Sequence, residues 1–548
     1  MRTAVPRLLR RSVRCSSSLS FLQQPKAAAA PAAPRALQRI QFRSLSSTAR
    51  LRSSENDPEQ QLQQRQWSTP LAKQLAEAIS ATGPVPLASF MRMCLTSDVG
   101  GYYTGAITES EGRDQFGLKG DFVTSPEISQ IFGELIGIWF VTEWLAQGRQ
   151  SKGVELIEVG PGRGTLMDDM LRTIQNFPAM ANAIDAIYMV EASPSLRMTQ
   201  KNLLCGTDAP MTESKVGYHS VCKYGGLPIV WTETIKSIPP SPEKMPFIVA
   251  HEFFDALPIH AFQCVDVPPS SSPNNPSPSA APSTSTSATP SDSTKTTGPT
   301  LQWRELLVSP TPPGSTHESL HTPASQSRDT PAPDFQLTLA QAPTRHSLYL
   351  PESSARYRSI KKQVGDGALI EICPDAALYA TDFASRIGGS PQFPKAKPSG
   401  AALILDYGPG DGTVPTNSLR GIRRHRRVSP FAEPGLTDLS ADVDFAGIAE
   451  AACRASEGIE IHGPVDQGTF LEVMGIRERA QQLIQAASTT TTTTTKEGTT
   501  AAEVVEKAWQ RLVDKSPNGM GKVYKALAIL PENDGRRRPV GFGGDVVA

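Results

Sequence analysis

The sequence lacks any run of about 18 apolar residues, the length that a helix needs to cross a bilayer. We therefore predict no transmembrane segment. The seven cysteines include no C-x-x-C pair, and their spacing indicates neither a zinc site nor a disulfide framework, so no metal ligands are predicted. Basic and acidic residues number 54 each, so the charge of the whole chain gives no argument for binding nucleic acid.

Acidic residues are absent from the first 54 positions, and the first one is Glu55. This segment contains ten Arg and one Lys and is rich in Ser and Ala, which is typical of a mitochondrial presequence. A basic tail without a targeting role is the alternative. We predict that residues 1–54 direct the chain to the mitochondrial matrix. The remaining residues include 43 basic and 54 acidic side chains, a formal charge of −11, which disfavours a nucleic-acid-binding protein.

Three low-complexity tracts interrupt the chain. Residues 267–300 are mostly Pro, Ser, Thr, Ala and Asn, residues 309–333 are similar, and residues 488–500 include a threonine run. Such compositions bury too little apolar surface to offset the entropy of ordering. We predict that the first two tracts are disordered insertions in surface loops and that the third is a linker. Long insertions are tolerated because closure entropy grows only with the logarithm of loop length.

Between these tracts, apolar periodicity predicts alternating helices and strands. Helices are expected at 68–81, at 85–96 and from Ser125 to about Gln147. Strand-like apolar runs occur at Val154–Val159, Ala186–Val190, Pro228–Trp231, Phe247–Ala250, Leu403–Asp406 and Val523–Leu530. Several runs are continuous, as in parallel strands covered on both faces, so we predict an α/β fold with a Rossmann-like doubly wound sheet. A helical region at 68–150 precedes the main domain, 151–266 and 345–532, and the last run is expected to close the sheet.

An apolar strand runs directly into three alternate glycines, Gly160, Gly162 and Gly164. The dinucleotide fingerprint G-x-G-x-x-G would need glycine or alanine at position 165, which is threonine. The pattern after the acidic strand end at Glu158 instead resembles motif I of class I methyltransferases, whose loop packs against the methionine moiety of S-adenosylmethionine. At the tip of the next strand, Glu191 could accept hydrogen bonds from both ribose hydroxyls. The alternatives are an ordinary tight turn for the glycines and a capping role for Glu191.

The segment 121–127 is predicted to fold over the cofactor as a lid. Thr124, Ser125 and Glu127 either reach the polar end of the cofactor or cap the helix that follows. Both roles suit short polar side chains next to a proline at a helix start.

Two clusters of charge lie further along the chain. Three aspartates either recognise a basic substrate loop or serve as solvated caps: Asp438, Asp442 and Asp444. Five arginines are predicted to form a solvated or partner-facing surface: Arg420, Arg423, Arg424, Arg426 and Arg427.

Several longer segments resemble one particular family. They are Gly120-Asp-Phe-Val-Thr-Ser-Pro-Glu-Ile-Ser129, Phe132-Gly-Glu-Leu135, Glu158-Val-Gly-Pro-Gly-Arg-Gly-Thr-Leu166, His251-Glu-Phe-Phe-Asp-Ala-Leu-Pro258, Ser418-Leu-Arg-Gly-Ile422, Thr437-Asp-Leu-Ser-Ala-Asp-Val-Asp-Phe445, Gly468-Thr-Phe-Leu471 and Met520-Gly-Lys-Val523. Over residues 68–266 and 345–530 the chain resembles the MidA-type protein arginine methyltransferases, mitochondrial assembly factors of respiratory complex I. The resemblance implies a class I methyltransferase fold, S-adenosyl-L-methionine as cofactor, and symmetric ω-dimethylation of an arginine in a complex I subunit of the 49-kDa type. A homodimer is considered as its assembly.

The tracts depart from the pattern of this family. The first one separates Phe262-Gln263 from the segment that resumes at Gln302, where a hairpin is expected.

Methyl transfer from a sulfonium is an in-line displacement, so the protein mainly positions two groups and supplies electrostatics. A guanidinium acceptor is cationic and planar, and carboxylates can clamp it bidentately. Glu252 and Asp255 are the candidates for this clamp, and His251 is a candidate proton acceptor. Phe253 and Phe254 could wall the pocket. The alternatives are helix-capping acids and a hydrogen-bonded structural histidine.

Two other functions are weighed. An NAD-linked oxidoreductase is disfavoured because position 165 is threonine and no catalytic pair is evident. A scaffold that binds S-adenosylmethionine and assists complex I assembly without catalysis stays the main alternative.

Overall fold

Two large sheets and one small sheet organise the computed structural model. The structure describes residues 65–105, 121, 123–267, 300–327, 330–489, 500–517 and 519–543. The predicted presequence, the first tract apart from its end residues 267 and 300, and the linker apart from 488, 489 and 500 lie outside these residues, so those interpretations stay predictions.

The strands, numbered along the chain, are β1 (Val85–Pro86), β2 (Val154–Val159), β3 (Ile184–Val190), β4 (Thr212–Glu213), β5 (Tyr218–Val221), β6 (Pro228–Thr232), β7 (Met245–His251), β8 (His260–Val267), β9 (Thr300–Pro310), β10 (Phe335–Leu339), β11 (Leu369–Ile372), β12 (Ala401–Tyr407), β13 (Arg420–Arg423), β14 (Arg426–Val428), β15 (Asp438–Ser440), β16 (Ile459–Asp466) and β17 (Tyr524–Pro531).

The α-helices are α1 (Pro70–Thr82), α2 (Leu87–Thr96), α3 (Ser125–Ile128), α4 (Gln130–Ala146), α5 (Thr165–Ile174), α6 (Pro178–Ala181), α7 (Pro194–Cys205), α8 (Ala324–Ser327), α9 (Arg345–Tyr349), α10 (Ala355–Gln363), α11 (Pro374–Gly388), α12 (Phe445–Ala455), α13 (Gln467–Val473), α14 (Ile476–Thr489) and α15 (Ala501–Val513). Among the described residues, no helix combines the length and the apolar character needed to span a membrane.

The central sheet has nine strands in the order β16–β17–β12–β7–β2–β3–β6–β5–β4. β12, β7, β2, β3 and β6 are parallel, whereas β17 is antiparallel to both of its neighbours. Every residue of β2 and β7 is buried, because helices cover both faces. Leu156 packs with α4 and α5 on one face, and Ile157 packs with α11 and α12 on the other. The prediction of a doubly wound α/β sheet is confirmed.

The six predicted strands appear as β2, β3, β6, β7, β12 and β17. The last one does not close the sheet, since β17 lies between β12 and β16. The edge strand β16 was missed because the polar Glu460 and His462 and the Gly463-Pro464 pair interrupt its apolar pattern.

The predicted helices form with different starts. Val85 and Pro86 pair with β9 as a short strand, so the second helix begins only at Leu87. The single helix expected from Ser125 breaks at Ser129, whose backbone is extended and whose hydroxyl accepts a hydrogen bond from the N–H of Ile131 at 3.3 Å. Ser129 therefore caps α4, and α3 is a separate turn of helix.

The second sheet has the order β1–β9–β8–β11, with β10 also paired to β9. β8 and β9 are antiparallel, with Phe262 opposite Glu305 and Gln263 opposite Arg304. The hairpin expected on either side of the first tract is therefore present.

The second tract, residues 309–333, differs from the predicted disorder wherever the structure describes it. Ser309 and Pro310 extend β9 and pair with β10, and the hydroxyl of Thr311 donates to the carbonyl of Pro333 at 2.9 Å. The β9–β10 pairing supplies backbone partners that composition could not reveal.

Candidate functional site

A cavity of about 720 Å³ lies at the carboxyl ends of β2, β3, β7 and β12. The antiparallel β17 begins at the same edge, so its first residue, Tyr524, also lines the cavity. Open α/β sheets bind ligands in this crevice because the loops that leave the parallel strands meet there.

The three glycines form a tight turn after β2. Gly160, Gly162 and Gly164 have φ values of 68°, 53° and 85°, a region that favours glycine. A Cβ atom on Gly160 would lie 2.6 Å from Cδ2 of Phe253, which lines the cavity as predicted. The turn therefore needs glycine both for its conformation and for the close approach of the loop after β7, the strand beside β2 in the sheet.

Glu191 lies at the end of β3 and is buried, with both carboxylate oxygens in hydrogen bonds. Oε1 accepts from the N–H of Ser193 at 2.8 Å, and Oε2 accepts from Nε2 of Gln200 at 3.1 Å. Gln200 also donates to the carbonyl of Gly162 at 2.6 Å and accepts from the indole of Trp231 at 2.9 Å. Burial raises the pKa of Glu191 to about 7, against the opposing effect of these donors. Gln200, which the sequence analysis missed, joins the acid to the glycine turn.

Glu158 also lines the cavity and is buried. Its Oε2 atom has no hydrogen-bond partner among the described residues. Burial, together with the nearby Glu191 carboxylate, raises the pKa of Glu158 well above its ordinary value. Ionisation of Glu191 thus disfavours ionisation of Glu158 at this end of the cavity.

The predicted lid residues have different positions. Glu127 accepts a hydrogen bond from the Thr165 hydroxyl at 2.7 Å and lies 3.6 Å from the Arg163 guanidinium, so it joins α3 to the glycine turn. Thr124 lines the cavity. Ser125 is not among the lining residues, although its buried hydroxyl has no hydrogen-bond partner among the described residues.

His251, Glu252 and Asp255 follow one another around the end of β7, and all three line the cavity. Glu252 has a φ of 49°, a left-handed conformation that side-chain-bearing residues rarely adopt. Its N–H donates to the carbonyl of Leu405 at 2.9 Å, which ties the turn to β12. Within the described part of the chain, Oε1 of Glu252 and Oδ1 of Asp255 are buried without a hydrogen-bond partner.

Burial dominates the titration of these groups. It raises the pKa of Glu252 to about 8, with a further increase from Asp255 and opposing hydrogen bonds from the Ser125 N–H and the Tyr524 hydroxyl. Burial also raises the pKa of Asp255, although the Tyr407 hydroxyl donates to that carboxylate. The pKa of His251 falls to about 3 because burial disfavours the imidazolium, so this histidine is neutral.

The turn after β7 is held by Asp406, a role that the sequence analysis missed. The buried Oδ2 of Asp406 accepts hydrogen bonds from the N–H groups of Phe253, Phe254 and Asp255 at 3.2, 2.9 and 3.3 Å. Asp406 ends the predicted strand Leu403–Asp406, and this position was the signal in the sequence that could have indicated its role. Phe254 packs in the core beneath the turn, so only Phe253 walls the cavity.

The clustered aspartates separate into two groups. Asp438 and Asp442 line the cavity, and the Tyr103 hydroxyl donates to Asp438 at 2.9 Å. Burial raises the pKa of Asp438 to about 7. Asp444 instead caps α12, accepting from the N–H of Gly447 at 2.9 Å, as the capping alternative proposed.

The arginine run is only partly a solvated surface. Arg420 lines the cavity, lies 4.3 Å from the ring centre of Tyr407 and donates to Asp442 at 2.7 Å. Arg427 also lines the cavity, while Arg423 pairs with Glu433. The prediction is therefore wrong for Arg420, because the β13–β15 pairing brings it to the acidic wall.

The strand order, the glycine turn after β2 and the acid at the end of β3 define the class of S-adenosylmethionine-dependent methyltransferases. Residues 135–465 match the family model of S-adenosyl-L-methionine-dependent methyltransferases. The chain belongs to this family, whose cofactor is S-adenosylmethionine.

Curated relatives are similar over most of their length. Mitochondrial protein arginine methyltransferase NDUFAF7 of Rattus norvegicus is 33% identical over 84% of this chain and 85% of its own. The protein of the same name from Danio rerio is 34% identical over 76% and 79%, and the Drosophila melanogaster homolog is 30% identical over 88% and 90%. A crystal structure of a Burkholderia thailandensis protein bound to S-adenosyl-homocysteine has a TM-score of 0.55 at 20% identity, covering 90% of this chain and 96% of that one. This last likeness concerns the fold alone.

Proposed function

We propose that this chain transfers methyl groups from S-adenosylmethionine to an arginine of a mitochondrial matrix protein and that the product is symmetric ω-dimethylarginine. The proposed substrate is a complex I subunit of the 49-kDa type, as the resemblance to MidA-type enzymes implies. One observation carries the proposal: the glycine turn with Glu191 and the unpaired carboxylate oxygens of Glu252 and Asp255 belong to one cavity. The names of the rat, zebrafish and fly relatives support the acceptor class.

The residues at one end of the cavity fit the cofactor. Gly160 and Gly162 leave the backbone accessible, and the Glu191 carboxylate, held by Gln200, is suited to accept hydrogen bonds from ribose hydroxyls. The free Oε2 atom of Glu158 offers an acceptor for an ammonium group. When bound, S-adenosylmethionine supplies a methyl group activated by its sulfonium. The surrounding carboxylates favour a cationic ligand.

The other end fits a guanidinium. Glu252 and Asp255 each offer a buried oxygen without a partner, and a guanidinium has N–H donors in a planar fork that can satisfy both. A cation beside these acids lowers their pKa values, so acceptor binding favours the ionised clamp. Clamping localises positive charge away from the attacking nitrogen, whose lone pair forms the new C–N bond while the C–S bond breaks.

Glu252 is a better proton acceptor than His251. The pKa of His251 near 3 makes its imidazolium costly, whereas the pKa of Glu252 is about 8, close to working pH. We therefore assign the proton released by the acceptor nitrogen to Glu252. His251, packed 5.0 Å from the ring centre of Phe132, fills the wall as a neutral group.

The test joins calorimetry with mass spectrometry. The purified chain is titrated with S-adenosylmethionine and with NAD, then incubated with a recombinant 49-kDa-type subunit and labelled cofactor. We expect heat with S-adenosylmethionine only and symmetric dimethylarginine in the subunit, recognised by its fragment ions. Binding without methyl transfer would favour the non-catalytic scaffold, and heat with NAD alone would remove the methyltransferase proposal.

A further inference from the structure

Two histidines and a glutamate converge on the second sheet, apart from the residues that line the large cavity. His260 begins β8, Glu305 lies within β9, and His346 belongs to α9. The Nδ1 atoms of His260 and His346 lie 2.8 and 3.3 Å from Oε1 of Glu305. One ligand atom from each residue lies within 4.8 Å of the other two. The chain thus brings together three donor groups from segments far apart in sequence.

These separations suit ligands that share one cation. Zinc is bound at about 2.0–2.2 Å by imidazole nitrogen and carboxylate oxygen, and tetrahedral angles then place neighbouring donors about 3.3 Å apart. The two histidine–glutamate separations, 2.8 and 3.3 Å, lie at or below that value, and all three ligand atoms lie within 4.8 Å of one another. Two imidazoles with one carboxylate also form a donor set that binds divalent first-row transition metals in preference to magnesium or calcium.

The protein buries and orients the central residues of this cluster. The Glu305 side chain is fully buried, and that of His260 is 10% exposed. The Thr344 hydroxyl donates to the other oxygen of Glu305, which leaves Oε1 facing the two imidazoles. The His346 side chain is 43% exposed, which gives an ion a route from solvent.

We propose that His260, Glu305 and His346 bind one divalent transition-metal ion, with zinc as the best chemical fit. The ion would join β8, β9 and α9, with water completing its coordination. This clamp has a physical reason, because β8 and β9 are the two strands separated by residues 268–299. Holding them together offsets the entropy of closing a long loop. The site is independent of methyl transfer.

The experiment measures metal binding by the full chain, without a histidine tag. The protein is stripped with a chelator and dialysed against zinc or cobalt(II) chloride, and bound metal is counted by mass spectrometry. We expect one ion per chain, visible cobalt absorption typical of four-coordinate nitrogen and oxygen ligands, and a higher melting temperature with metal, since ligands that bind only the folded state stabilise it.

His346→Ala is the decisive variant because this partly exposed side chain can be removed with little effect on packing. We expect metal affinity to fall by about a hundredfold or more and the cobalt absorption to disappear, whereas the control His219→Ala on β5 should match the wild type. Less than one bound ion in the wild type, or equal binding by His346→Ala, would overturn the proposal. A second variant, Glu305→Gln, removes the carboxylate ligand. If it fails to fold, the wild-type cobalt spectrum and His346→Ala still decide.

Discussion

Glu191 differs in its hydrogen bonding from the buried acids at the other end of the large cavity. At the end of β3, both oxygens of Glu191 have protein partners, in Ser193 and Gln200. At the end of β7, Glu252 and Asp255 each keep an oxygen without a partner among the described residues. We call the end with Glu191 the prepared end, because the protein holds that carboxylate in place, and the end with Glu252 and Asp255 the acceptor end, because both acids, like Glu158 beside Glu191, keep an oxygen that can accept a hydrogen bond.

This difference has an energetic meaning. A buried polar atom without a hydrogen bond costs about 1–3 kcal/mol, and more if it is charged. The raised pKa values of Glu252 and Asp255 indicate that the free protein relieves the cost by keeping protons at this end. A cationic guanidinium supplies charge and donors together. The proposed selectivity for arginine would thus follow from two carboxylate oxygens that a guanidinium can satisfy together.

The largest effect is expected from removing charge at the acceptor end. Asp255→Asn and Glu252→Gln should each lower kcat for methyl transfer by about 10²–10³-fold, because each removes a carboxylate that would be ionised beside the bound guanidinium. The affinity for S-adenosylmethionine should stay within about threefold, since Glu191 and the glycine turn are unchanged. Initial rates by mass spectrometry and Kd by calorimetry give the two readouts.

Glu77→Gln is the matched control for this pair, because it makes the same change at an exposed residue of α1 that pairs with Lys73 at 3.9 Å. Its rate should equal that of the wild type. If the two cavity variants lost cofactor affinity and rate in equal measure, the division of the cavity into two ends would be wrong.

A smaller effect is expected at the prepared end. Gly160→Ala should weaken S-adenosylmethionine binding at least about tenfold, since its Cβ atom would lie 2.6 Å from the Phe253 ring and displace it into the cavity. The control is Gly83→Ala, where φ is also positive at 86° but no atom lies within 4 Å of the new Cβ. Both variants place a side chain at a positive φ and are strained for that reason, but only the first should change Kd. Equal Kd values in the two variants would contradict this account.

The same comparison explains what could be predicted from the sequence. The prepared end is local: the glycines follow a strand directly, and Glu191 ends the next strand along the chain. The apolar strands, the glycines and the acid therefore indicated the prepared end from the sequence. The acceptor end also includes Tyr103, Arg420 and Tyr524, which are far apart in the sequence and whose spacing does not indicate a shared site. Only the sheet order brings them together.

The fold divides in the same way. Continuous apolar runs predicted the parallel strands, because burial on both faces demands such runs. The edge strand β16 could not be predicted, since partial exposure tolerates Glu460 and His462 within it. The order within residues 309–327 also escaped prediction, because it depends on pairing with a distant strand.

The pH dependence of cofactor affinity should distinguish the prepared end from the acceptor end. Burial places the pKa of Glu191 at about 7, so the free protein binds a proton there at pH 6 and not at pH 8. Ribose hydroxyls donate to the ionised form, so Kd for S-adenosylmethionine should rise up to about tenfold from pH 8 to pH 6. Calorimetry across this range measures the effect. Glu191→Gln should bind more weakly at pH 8 with a flat profile, and a profile as steep as that of the wild type would assign the proton to another group.

The smallest effect concerns the stability of the unliganded protein. The pKa of Glu252 is raised to about 8 in the folded state, so its contribution is fully present below the unfolded value of 4.5 and is lost as pH rises through 8. Burial lowers the pKa of His251 to about 3, so this group lowers the stability only as pH falls through about 6.5, where the unfolded chain binds a proton, and it has little effect between pH 7 and 8.5. Over that interval the wild type should lose about 1 kcal/mol more than Glu252→Gln, measured by urea unfolding with Glu77→Gln as control. Parallel curves for all three proteins would mean that the acceptor end holds no proton, and the contrast between its two carboxylates and Glu191 would then have to rest on geometry alone.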